Sequence, residues 1–195
     1  TMSARNVIIF DLDGVIIDSV PMSSASLQHS FPGLTREDIK NLHKGNIPEE
    51  LKRIASKKRE ETEEEKERRR ADYSRLKSTA PVFKGMKELI MNLAKTHDLV
   101  LNTSAVKRNT LPLLEREGLD NCFSLIATRE INASKREKFD LIARQFGKKP
   151  SELLFVTDSI GDLREASQAG VPTVIVTWGI HEKEDFENET IENMV

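Results

Sequence analysis

Five short apolar runs, none long enough to be a helix, recur along the chain with helical patterns between them, and this alternation restricts the fold more than any other feature. The first, Val7-Ile8-Ile9-Phe10, is continuous and rich in β-branched residues, as in a strand buried on both faces. Similar runs stand at Leu99-Val100-Leu101, Ser124-Leu125-Ile126-Ala127, Leu153-Leu154-Phe155-Val156 and Thr173-Val174-Ile175-Val176. Helical periodicity is read at 86–95, 108–117, 136–146 and 162–169, and Gly118, Gly147 and Gly170 stand where a left-handed residue closes a helix. Strand and helix in turn predict an α/β fold: a three-layer Rossmann-like core around a parallel sheet.

One long stretch breaks the alternation. Residues 19–80 carry helical periodicity, no convincing strand, and Pro21 and Pro81 near their ends. They read as a helical insertion, with the core made of 1–18 and 81–195. Ser56 to Arg70 lacks strongly apolar residues but has good helix formers and Glu64/Arg68 and Glu65/Arg69 at a spacing of four, so a solvated projecting helix is expected there. Beyond Gly179 the chain turns acidic and polar, as a short helix or loosely held tail would.

Composition narrows the function classes. Near-balanced charge, net -2 with a pI near 6.1, disfavours nucleic acid as a partner. Cys122 is the single cysteine, which excludes an internal disulfide framework and a cysteine-rich zinc site. No run approaches the roughly twenty apolar residues that span a bilayer, and Thr1 to Arg5 lack a signal peptide's apolar stretch, so no membrane role and a cytoplasmic location are expected.

The strongest local motif is Asp11-Leu12-Asp13-Gly14-Val15, directly after the first strand. Residues two apart at a strand end project to one side, so both carboxylates enter one space at the C-terminal sheet edge, where open α/β sheets bind ligands. Together they repel each other and a phosphate; a divalent cation such as Mg²⁺ resolves both conflicts. One carboxylate can then attack phosphorus while its neighbour protonates the leaving oxygen and later activates water. The same Asp-x-Asp-Gly also occurs in turns and calcium loops, so partners elsewhere must decide.

Asp158-Ser159-Ile160-Gly161-Asp162 follows another predicted strand and opens a helix, which makes Asp158 a candidate metal ligand if the two strands are adjacent; helix capping is the plainer role for Asp158, Ser159 or Asp162. Thr103-Ser104 ends a strand and can hold phosphate oxygens, although alone it reads as an N-cap. Lys135 and Lys138 both qualify as a lysine at a helix start that needs nearby anions. His29, His43, His97 and His181 show no metal-ligand spacing.

In order, these segments resemble the haloacid dehalogenase-like hydrolase superfamily, and Asp11 through Ser19 resembles the opening of its phosphoglycolate phosphatase and β-phosphoglucomutase branch, which carries a helical cap where residues 19–80 lie. The resemblance implies a magnesium-dependent phosphatase for a small-molecule phosphate monoester: a sugar phosphate, phosphoglycolate or nucleotide. It makes Asp11 the nucleophile, Asp13 the general acid and base, Thr103 with Ser104 the phosphate ligands, and Lys135 the cation that steadies nucleophile and phosphoryl oxygens. Asp11, Asp13 and Asp158 are the implied metal ligands, with Asp162 in support. The cap segment Leu42 to Leu51 resembles the substrate-specificity loop, giving Lys44 and Gly45 as specificity candidates.

Two departures stand out. Thr157 precedes Asp158 where many relatives have glycine, and Pro48 stands where β-phosphoglucomutases tend to place an arginine for a second phosphate; Lys44 or Arg53 are the substitutes at hand. A phosphomutase and a non-enzymatic binding protein are the alternatives to the phosphatase, and the acid at Asp13 favours phosphoryl transfer over carbon-halogen cleavage.

Overall fold

Alternate residues of the first strand, β1 (Val7–Phe10), face two different cores, and this sets the layering. Ile8 and Phe10 join Leu99 and Leu101 of β2 (Asp98–Asn102), packed by Ile90 of α5 (Met86–Leu93) and by Leu113 and Leu114 of α6 (Lys107–Glu117). Val7 and Ile9 join Val100 and Phe155 on the other face, covered by Phe139 and Ile142 of α7 (Lys135–Phe146) and by Ala166 of α8 (Ile160–Gln168). With helices on both sides, the central strands are buried on both faces, as the continuous apolar runs predict, and the edge strands are partly buried.

The computed structural model describes residues 5–132, 134–187 and 189. The sheet has the order β3-β2-β1-β4-β5, with β3 at Leu125–Ala127, β4 at Leu153–Thr157 and β5 at Thr173–Ile175, and all pairings are parallel. Each predicted strand is present within one residue of its expected bounds. Gly118 and Gly147 are the left-handed caps of α6 and α7, and Gly170, also left-handed, follows the cap of α8.

Between β1 and α5 lie α1 (Val20–Ser30), α2 (Arg36–Leu42), α3 (Ile47–Arg53) and α4 (Glu63–Ser78), with no strand among them. The expected solvated helix is corrected in part. Residues 55–57 form a separate 3₁₀ turn, and α4 starts at Glu63 behind a Thr62/Glu65 capping box. The Glu64–Arg68 pair forms at 3.2 Å, but Glu65 is taken by the cap and Arg69 turns back to Glu61 at 2.9 Å. Beyond that stretch, one face of the later turns of α4 packs inward: Ser74 donates to Asn109 of α6, and Lys77 is buried. Beyond Gly179, α9 (Lys183–Phe186) supplies the short helix; Thr190 to Val195 lie outside the described residues.

The strand order places β1 between β2 and β4, so the C-terminal ends bearing Asp11, Thr103 and Asp158 are neighbours. Phe10 is in register with Leu101 and with Val156, and the Asp11 N–H donates to the Val156 carbonyl at 3.0 Å.

Candidate active site

A cavity of about 470 Å³ opens over this sheet edge. Asp11, Asp13, Ser104, Lys135, Asp158 and Asp162 line it from the core side, and His43, Gly45, Pro48, Arg70, Tyr73 and Lys77 from the helical insertion. Lys44 and Thr103 are not among the lining residues. The Lys44 carbonyl accepts a hydrogen bond from Arg164, and Arg53 is exposed and paired with Glu50.

Lys135 opens α7 beneath Asp11. Its Nζ lies 2.8 Å from Asp11 Oδ2 and also donates to Asp162, so one buried ammonium bridges two buried or half-buried carboxylates. Burial opposes its charge, but Asp11 and Asp162 outweigh that and raise its pKa above the ordinary lysine value. Lys138, the rival, points elsewhere: its Nζ donates to the Thr103 carbonyl at 2.7 Å. Asp162 also accepts from Thr157 Oγ1 at 2.9 Å, so this hydroxyl orients the carboxylate.

The two motif carboxylates differ in electrostatics although only Leu12 separates them. Burial drives the Asp11 carboxyl well above its ordinary range against the pull of Lys135, and Asp162 and Asp158 push it the same way. Burial alone would raise Asp13 too, but the Lys77 ammonium, 2.7 Å from both its oxygens, outweighs it and holds Asp13 below its ordinary value. Ser19 Oγ adds a hydrogen bond of 2.6 Å to Asp13 Oδ1.

Asp158 is buried, and its Oδ2 accepts the Ile180 N–H at 2.6 Å. No cation pairs with it among the described residues, and burial pushes its pKa up to about 7. Gly14 makes room for it: a Cβ there would lie 2.0 Å from Asp158 Oδ2, and its φ of +74° is one that side chains disfavour. Ser159, not Asp158 or Asp162, caps α8, and α6 starts at Lys107 behind Val106, which removes the N-cap explanation for Thr103-Ser104. Among the described residues, no three His, Cys, Asp or Glu side chains are gathered into a ready metal cluster.

The insertion is latched onto this edge. Gly161 N–H donates to the His43 carbonyl at 2.9 Å, and a Cβ on Gly161 would lie 2.5 Å from the Gly45 carbonyl oxygen, so only glycine allows this contact. Asn46 donates to Glu165, and Lys40 pairs with Asp185 at 2.6 Å.

The family profile described as haloacid dehalogenase-like hydrolase matches residues 8–176. The chain belongs to the haloacid dehalogenase-like hydrolase family. Within it, a phosphoglycolate phosphatase of Synechococcus elongatus is 25% identical over 92% of this chain and 87% of its own. The tyrosine-protein kinase PtkA of Mycobacterium tuberculosis is 29% identical over 97% of this chain and 67% of its own. A hydrolase from Pseudomonas syringae has the same fold, with a TM-score of 0.77, 22% identity and coverage of 97% and 93%. The strand end that bears Asp11 and Asp13 lies within the residues the profile matches. Sequence reasoning did not find Lys77, whose only signal is its place on the Arg70-Ser74-Lys77 face of α4, one turn apart at each step. No helix among the described residues is long and apolar enough to cross a membrane.

Proposed function

We propose that this hydrolase cleaves a small phosphate monoester through an aspartyl-phosphate on Asp11, with Mg²⁺ as its metal. The observation that carries the reading is geometric: Asp11 and Asp13 line one cavity beyond β1, each with its own ammonium, Asp11 2.8 Å from Lys135 and Asp13 2.7 Å from Lys77.

In the first half-reaction an Asp11 oxygen bonds to phosphorus as the ester P–O bond breaks, and a protonated Asp13 gives its proton to the leaving oxygen. In the second, Asp13 takes a proton from water, the water oxygen bonds to phosphorus, and the P–O bond to Asp11 breaks. Paired with Lys77, Asp13 rests ionised, the form needed for the second half; for the first half it takes up a proton from solvent or from a singly protonated phosphate ester and passes it to the leaving oxygen. Lys135 favours the ionised form of Asp11 against the burial that raises its pKa, and offsets the charge of phosphoryl oxygens.

The donor set suits a hard cation: it is all oxygen, and Asp158 is a buried carboxyl with no cation paired to it among the described residues. Asp11 and Asp158 would hold Mg²⁺, with Asp13 contributing whatever oxygen Lys77 and Ser19 leave to it. When bound, the ion supplies charge neutralisation for the phosphoryl group. Asp158→Ala is expected to weaken Mg²⁺ dependence at least about tenfold. The check is an Mg²⁺ titration of phosphate release together with the rise in melting temperature that Mg²⁺ gives the wild type; unchanged titrations in both would move the metal elsewhere.

The rest of the cavity bears on the substrate. Arg70, Arg108 and Arg129 line it, and none has an ion-pair partner among the described residues. Their elements are tied together: Ser74 of α4 donates to Asn109, beside Arg108, and Arg129 N–H donates to the Ala105 carbonyl. We therefore propose a leaving group with an acidic group of its own, as in phosphoglycolate. Pro48 lines the cavity without charge, which gives the mutase alternative no support from that position. Arg108→Ala/Arg129→Ala is expected to lower kcat/KM for phosphoglycolate about tenfold, equivalent to about 1.4 kcal/mol of screened attraction, and to leave p-nitrophenyl phosphate unchanged. Equal effects on both substrates would reject the acidic leaving group.

The reaction itself is tested by phosphate release from sugar phosphates, nucleotides and phosphoglycolate, with Mg²⁺ and with chelator. Metal-dependent release is expected. Release indifferent to chelator would remove the metal, and a stable complex with no turnover on any ester would favour the binding-protein alternative. A reducing, cytoplasmic setting belongs to the same proposal, since Cys122 has no cysteine to pair with.

A further inference from the structure

Lys138 is one of the two largest side chains buried to below two per cent exposure, and nothing in the chemistry above uses it. It stands one turn after Lys135 on α7, yet its ammonium faces no carboxylate. Its Nζ donates to the Thr103 carbonyl at 2.7 Å and to the Ala127 carbonyl at 3.4 Å, the ends of β2 and β3. Burial, and then repulsion from Lys135, pulls its pKa down to about 8. An ammonium held only by neutral carbonyls is an expensive way to fill a core, since an apolar side chain of similar volume is often neutral or stabilising in such a place.

What that carbonyl contact does follows from the peptide plane. The bond between Thr103 and Ser104 is trans, so its C=O and N–H point in opposite directions. With the Thr103 oxygen drawn down to Lys138, the Ser104 N–H is turned the other way, on the side of the cavity that Ser104 lines. The other N–H groups of this loop are spent: that of Thr103 on the Ala127 carbonyl at 3.0 Å, and that of Ala105 on Thr103 Oγ1 at 3.1 Å. The Ser104 N–H has no partner among the described residues. A charged donor on the carbonyl also polarises the amide and strengthens its N–H as a donor.

We propose that Lys138 is a positioning residue, which pins the Thr103 carbonyl so that the Ser104 N–H meets a non-bridging oxygen of the phosphoryl group during transfer. The inference rests on the phosphatase reading above. No bond changes at Lys138 itself; it acts by fixing the direction of a donor aimed at developing charge.

The test compares wild type, Lys138→Met and Lys138→Gln in Mg²⁺-dependent phosphate release and in inhibition by orthovanadate, a mimic of the phosphoryl group in transfer. Lys138→Met is expected to lose about 10- to 100-fold in kcat with little change in KM. Vanadate inhibition should weaken in parallel and the melting temperature should hold or rise. Lys138→Gln keeps an N–H for the carbonyl and should recover part of the loss. Wild-type kcat and vanadate affinity in Lys138→Met would overturn the inference, as would a loss of activity that only tracks a loss of folded protein. A measurement on the wild type needs no variant: the Ser104 amide proton should move downfield in NMR when vanadate and Mg²⁺ are added, and an unmoved resonance would also overturn it. Failure of the phosphatase reading looks different, because wild type would then release no phosphate or Asp11→Asn would retain the activity.

Discussion

Asp11→Asn is expected to remove phosphate release almost completely, by at least about a thousandfold in kcat, in a protein that remains folded. The amide cannot form the acyl phosphate, and no other group can stand in: Asp13 is committed to Lys77 and Ser19, and Asp158 to the Ile180 N–H. The folded state should tolerate the change. Because its folded pKa is raised, ionised Asp11 detracts from stability at neutral pH, and Asn removes that burden. Lys135 loses one partner but keeps Asp162. The melting temperature is therefore expected to hold or rise. Wild-type turnover in this variant would reject Asp11 as the nucleophile, and a collapsed melting curve would show that the Lys135 bridge needs both carboxylates.

The core was legible because its strands are buried on both faces, so each shows as an unbroken apolar run, and because sheet edges expose the residues that follow such runs. Asp11 and Asp158 each follow a strand end and could be placed from local pattern alone. The helical insertion was less legible for a physical reason. Its α4 carries no apolar stripe, so its inward face is polar, made of Arg69, Ser74 and Lys77, and periodicity analysis sees only a charged helix. The Glu65/Arg69 spacing suggested a pair that the capping box outcompetes, since Glu65 has a backbone N–H to satisfy. Likewise, choosing Lys135 over Lys138 depends on which side of α7 faces Asp11, and both lie within one turn. The distance of 2.8 Å to Asp11 decides it, and the burial of Lys138 against carbonyls gives that residue a different task.

Lys77→Met tests the contact between α4 and Asp13, which local pattern could not find. Lys77 is buried and paired with Asp13, which keeps about a third of its side-chain surface open to the cavity. Removing one partner of a fully buried pair costs about 3–5 kcal/mol; the exposure of Asp13 brings the expected loss here to about 1–3 kcal/mol. The pH dependence of that loss has a definite sign. Asp13 has a folded pKa below its ordinary value of 3.8, so the stability it contributes is present above that value and is lost as pH falls through the folded pKa. Lys77 has a folded pKa above 10.5, so its contribution is complete below that value and is lost as pH rises through the folded pKa. The difference in stability between wild type and variant should therefore be flat across the neutral range and shrink at either extreme. In catalysis, Asp13 without Lys77 binds a proton more readily, so the acid limb of the rate profile should move to higher pH. With the carboxylate no longer aimed, kcat/KM should fall about a hundredfold. The pH profile separates the two roles. A variant that is less stable but keeps the wild-type acid limb would make Lys77 a strut between α4 and β1, whereas a shifted limb with a modest change in melting temperature would make it the group that sets the protonation of Asp13.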